Sequence, residues 1–198
     1  MRTYFQKPFT LICLATLSVL YLSAQEQNFD TQRSSITVHV GKAGFLSVAG
    51  HEHRVRAPFS EGRLNATPPE HVTFRVDAKA LNVRPDDTLS AEKQAEVQRT
   101  MQTEVLESDK YPEISFRSTT VERVDAHHWL VTGDLTLHGH THPVRVDVSS
   151  VDGDYTGTAK LKQTDFGIRV ITVGGLVKLR NELEIQFKVI PERSTSGH

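Results

Sequence analysis

Beyond residue 34, apolar and polar side chains alternate with a period of two along most of the chain, the mark of strands that bury one face. Ile36, Val38 and Val40 alternate with Ser35, Thr37 and His39, and Val72, Phe74 and Val76 with Thr73, Arg75 and Asp77. Trp129, Val131, Leu135 and Leu137 share one face, as do Val144, Val146 and Val148. The clearest run sets Leu183, Ile185, Phe187 and Val189 against Glu182, Glu184, Gln186 and Lys188. Weaker runs cover residues 54–65, 114–121 and 155–161. Pro68-Pro69, Asp125-Ala126-His127 and Asp152-Gly153-Asp154 supply turn chemistry between runs. The pattern predicts an all-β fold, an antiparallel β-barrel of about eight strands with one short helix.

The helix is expected over residues 90–107, which hold no Gly, no Pro and no alternation. Ala91, Val97, Met101 and Val105 recur at roughly helical spacing, and Ser90 can cap the start. The stripe reads as packing against an end or side of the sheet.

Residues 1–24 have the form of a secretory signal peptide. Arg2 and Lys7 precede an uncharged apolar stretch from Phe9 to Leu22, with Ser23-Ala24 as a cleavage site. The expected location is periplasmic or secreted. Cleavage near Ala24 would also remove Cys13, the chain's one cysteine, and with it any disulfide or thiolate chemistry. Residues 25–34 are expected to be a linker, 35–190 the barrel domain, and 191–198 a disordered tail. A formal net charge of −1 gives no electrostatic footprint for nucleic acid, and no apolar stretch suits an integral membrane protein. The sequence lacks Gly-x-Ser-x-Gly, P-loop and Gly-x-Gly-x-x-Gly fingerprints, so enzyme activity is not expected.

A barrel of this size either fills with side chains or holds one small ligand, and periodicity alone leaves both open. Its inward set carries almost no charge, which would suit a long hydrocarbon worth about 0.8 kcal/mol per buried methylene. Three motifs bear on the choice. The stretch from Val105 to Phe116 (VLESDKYPEISF), Gly133 to Gly139 (GDLTLHG) and Gln163 to Ile168 (QTDFGI) resemble signatures of YceI-like proteins. The likeness covers about residues 35–190. It implies an exported, lipocalin-like barrel holding a polyisoprenoid lipid or an isoprenoid quinone, without a catalytic centre. Combined with the inward face, it marks Phe74, Phe116, Trp129, Leu137, Phe166, Ile185 and Phe187 as ligand-lining residues. The expected partner is an apolar small-molecule lipid, with a homodimer left open and no required cofactor.

The chain departs from the family pattern at its histidines. His140 and His142 follow the second motif, and His51-Glu52-His53 forms another His-x-His. In extended chain such pairs lie about 6.6 Å apart and face the same way, so two pairs on neighbouring strands could bind zinc, copper or nickel. The competing reading is histidines lining a barrel rim. A metal-binding protein, or an interaction barrel with a filled core, is therefore the alternative function.

Overall fold

The computed structural model describes residues 26–43, 53–67, 70–170, 172–173 and 177–192. The expected signal peptide, His51, Glu52 and Pro68-Pro69 lie outside the described residues, as do the last six positions. The strands are β1 (Gln27–Asn28), β2 (Ser35–Ala43), β3 (His53–Ala57), β4 (Glu61–Asn65), β5 (His71–Asp77), β6 (Asn82–Val83), β7 (Glu113–Arg123), β8 (His128–Leu137), β9 (His140–Val151), β10 (Asp154–Lys162), β11 (Thr172–Val173) and β12 (Val177–Val189). They form one antiparallel sheet in the order β1-β4-β5-β7-β8-β9-β10-β12-β2-β3-β6, with β11 paired to β12. The count exceeds the expected eight because the run at 54–65 divides into β3 and β4, and because β1, β6 and β11 are two-residue strands, too short to show alternation.

The alternation places the core correctly. Val131, Leu135 and Leu137 are buried, as are Val76, Val148, Leu183 and Val189. Two hairpins turn on residue pairs that both have positive φ, His138-Gly139 (52° and 73°) and Asp152-Gly153 (54° and 83°). Left-handed pairs of this kind match the twist of adjoining antiparallel strands.

The segment expected to be a linker instead closes the barrel. β1 pairs with β4, and the Phe29 N–H donates to the Gly62 carbonyl at 2.8 Å. On its other side Asp30 N–H donates to Ile190 O and Glu192 N–H to Asn28 O, each at 2.8 Å, while Phe29 bridges Pro191. The amino-terminal segment thus joins the β4 edge to the end of β12. Phe29 is 2% exposed and sits edge-on to Phe59, 5.3 Å between centroids. Among the described residues the first strand thus starts at Gln27, and the start of the expected tail takes part in the same closure.

Helix α1 (Ala91–Thr100) begins where expected, with the Ser90 hydroxyl accepting the Lys93 N–H at 3.3 Å, and runs on into a π-helical turn, Met101–Val105. Although Met101 in that turn is buried, α1 itself buries no residue. Three glutamines spaced four apart attach it instead. Gln98 accepts the Val83 N–H through Oε1 (2.8 Å) and donates to Leu81 O through Nε2 (2.9 Å). Gln94 donates to Leu89 O at 3.1 Å, and Gln102 to Leu81 O at 3.0 Å. Spacing of four puts all three on one helical face, toward the incoming segment.

Candidate functional site

The inward faces of the strands do not fill the barrel. They enclose a cavity of about 780 Å3, walled almost wholly by aliphatic and aromatic side chains. Six of the seven expected lining residues stand in its wall: Phe74, Phe116, Trp129, Leu137, Ile185 and Phe187. Phe74 and Phe116 stack across β5 and β7 with centroids 5.3 Å apart, continuing the aromatic row from Phe29 and Phe59. Gly133 and Gly157 make room for this wall. A Cβ on Gly133 would run into the Phe116 ring, and one on Gly157 into the Phe187 ring.

Phe166 is the exception. β9 and β10 pair only as far as Val146 and Ala159, and the 3-10 turn Gln163–Phe166 packs beside β9 beyond that point. Phe166, 1% exposed, lies there edge-on to His142 at 5.4 Å and not in the cavity wall. Its Asp-Phe-Gly motif is explained by the turn, which Gly167 ends with φ of 69°.

The two ends of the cavity differ. Near α1 the lining includes Asp86, Thr88, Lys93 and Glu96. These groups already have partners: the Lys93 ammonium lies 2.8 Å from Glu96, and the Thr88 hydroxyl donates to the Asp86 carboxylate. At the opposite, hairpin end the lining includes Asn65, Glu70, His71, Trp129 and Tyr155. The Tyr155 ring meets Trp129 edge-on at 5.8 Å, and the Arg123 guanidinium lies 5.5 Å from the Trp129 ring centre. Burial, and then the negative charge of Glu70, push the Tyr155 phenol above its ordinary value against the smaller opposing effect of the Arg123 guanidinium, so it stays a donor at neutral pH.

His51 lies outside the described residues, and His53 is not on a strand next to that of His140 and His142. His53 opens β3 and His140 and His142 open β9, and β10, β12 and β2 lie between those strands in the sheet. His140 and His142 are exposed. Among the described residues, no three His, Cys, Asp or Glu side chains are placed to hold one metal ion.

The histidine that sequence reasoning missed is His138, 8% exposed at the β8–β9 turn. Its Nδ1 lies 3.2 Å from Phe166 O and its Nε2 2.7 Å from Glu107 Oε2, while Tyr111 packs on the ring at 4.3 Å. Both ring nitrogens thus face oxygen atoms, a backbone carbonyl on one side and a carboxylate on the other. Glu107 and Tyr111 come from the first motif, His138 and Gly139 from the second, and Phe166 and Gly167 from the third. All three signatures meet here as a brace between the helical segment, a hairpin and a turn. A sequence signal existed: His138-Gly139 between two alternating runs reads as a two-residue hairpin loop, and histidine is among the few side chains enriched at positive φ.

This arrangement accords with what the chain is similar to. A UPF0312 protein of Shewanella putrefaciens is 27% identical over 172 residues, covering 81% of this chain and 85% of that protein. One from Vibrio cholerae is 25% identical over 191 residues, covering 88% and 96%. Among solved structures, BcnA of Burkholderia cenocepacia superimposes with a TM-score of 0.56 at 17% identity, covering 81% of this chain and 98% of that one. A polyisoprenoid binding domain from Saccharophagus degradans gives 0.56 at 13% identity, covering 83% and 97%. These two show the shared barrel fold. The YceI-like domain model matches residues 27–190, nearly the whole of the described barrel, and the chain belongs to that family.

Proposed function

We propose that this protein is an exported carrier that holds an isoprenoid-type lipid, a polyisoprenoid or an isoprenoid quinone, in the barrel lumen without chemical turnover. The observation that carries the reading is the cavity of about 780 Å3 with its apolar wall. Its size lies within the range of roughly 300–1,000 Å3 usual for ligand sites. A chain of ten methylenes buried there would gain about 8 kcal/mol before the cost of ordering it. The polyisoprenoid binding domain from Saccharophagus degradans, of the same fold, supports this choice of ligand class. No helix among the described residues is long and apolar enough to cross a membrane.

Native mass spectrometry of the purified protein, with analysis of its organic extract, tests the reading. The expected result is one isoprenoid lipid per chain, lost in Ala159→Trp, which places an indole in the cavity wall. A lipid-free protein that also fails to take up an added isoprenoid would overturn it.

A further inference from the structure

The apolar wall sets no preference between ligands that share a chain and differ in head group, so selectivity must come from the polar groups at the two ends. At the helix end those groups are paired with one another, as Lys93 is with Glu96 and Thr88 with Asp86. At the hairpin end Asn65 accepts from Thr67, and His71 faces Glu26. The Tyr155 hydroxyl has no hydrogen-bond partner among the described residues, and its ring is fixed against Trp129. A donor in a mostly apolar site that no protein group satisfies is a place for a ligand acceptor.

We propose that Tyr155 is the head-group donor of this site, hydrogen-bonding a neutral carbonyl-type oxygen, as of a quinone or ketone, while the carboxylate of Glu70 disfavours phosphate. The inference rests on the lipid-carrier reading and narrows it. Burial and the charge of Glu70 both keep the phenol protonated, the form that can donate. Glu70 is itself part of the lining, and its charge outweighs the opposing charge of Arg123 at the phenol, so an anionic head there would meet a net like charge. The flat Trp129 indole beside Tyr155 offers a face for a planar head.

The test is titration of delipidated protein, by quenching of its one tryptophan, with three probes of equal chain length. These are a quinone with a twenty-carbon isoprenoid tail, the corresponding isoprenyl monophosphate, and the hydrocarbon without a head. The native protein should prefer quinone over phosphate. Tyr155→Phe, which keeps the ring, should weaken quinone binding about five- to tenfold, the worth of one hydrogen bond, and leave the hydrocarbon unchanged. Glu70→Gln should strengthen phosphate binding several-fold. If the hydrocarbon binds but Tyr155→Phe leaves quinone affinity unaltered, or phosphate binds as tightly as quinone, the head-group assignment is wrong and the carrier reading stands. If none of the three probes binds, both fall.

Discussion

The closure of the barrel by a segment without strand periodicity yields a quantitative prediction at Phe29 and Gly62. Phe29 is 2% exposed, borders the cavity and packs edge-on to Phe59. Truncation of a buried Phe to Ala costs about 3–5 kcal/mol, and the lower end applies here because one side of the ring already faces empty space. Gly62 lies under the same ring, and a Cβ built on it would overlap Phe29. Phe59 packs edge-on against the ring and restricts its movement toward the cavity, so Gly62→Ala should cost about 1–3 kcal/mol as overpacking. Combined with Phe29→Ala, the new methyl group enters vacated space and its own cost should nearly vanish. The expected double variant is therefore about 2 kcal/mol more stable than the sum of the single effects. Urea unfolding followed by Trp129 fluorescence measures all four proteins. Single effects that add to within about 0.5 kcal/mol, the range for independent sites, would refute the claim that the Phe29 ring occupies the space above Gly62.

Three further outcomes follow from the geometry. His138→Ala should destabilise by about 2–3 kcal/mol in the same assay, because it removes a ring bonded on both nitrogens; Glu107→Gln should cost less, its carboxylate being 43% exposed. Gln98→Ala should release the β6 segment from the helix, seen as hydrogen exchange at the Val83 N–H faster by about tenfold or more, while core amides are unchanged. In protein lacking residues 1–24 and carrying Tyr111→Phe, so that Tyr155 is its one tyrosine, alkaline titration of tyrosinate absorbance should place Tyr155 above its ordinary value near 10, and Glu70→Gln should bring it down. Because the folded value is the raised one, this group's share of stability is intact below pH about 10 and is lost as pH rises through the folded value.

Much of this molecule could be read from the chain, and the failures share a cause. The long strands declare themselves because burial of one face imposes period two over many residues, as in β8 and β12. The helix start is legible because Ser90 caps it locally. Two-residue strands offer no period to detect, so β1, with Phe29 among polar neighbours, passes for a linker. Attachment of α1 is hidden for a related reason. The apolar stripe does not mark it: Gln98 and Gln102 hold the helix by bonding the Leu81 carbonyl, which lies beside them only after folding.

The wall of the cavity and the motifs of the family carry different information. Phe74, Trp129, Ile185 and Phe187 were placed by parity along a strand, Phe116 and Leu137 by parity and motif together, and all six line the cavity. Phe166 was placed by its motif, and it packs in the turn beside β9 instead. The three motifs meet at His138, outside the lumen, where they hold a helical segment, a hairpin and a turn to one another. A chain can therefore match the family signature through its scaffold while the side chains that choose a ligand are set by the inward positions alone. On the carrier reading, selectivity is to be sought where the inward set stops being apolar: at the helix end those groups pair with one another, which leaves the hairpin end, with Glu70, Trp129 and Tyr155.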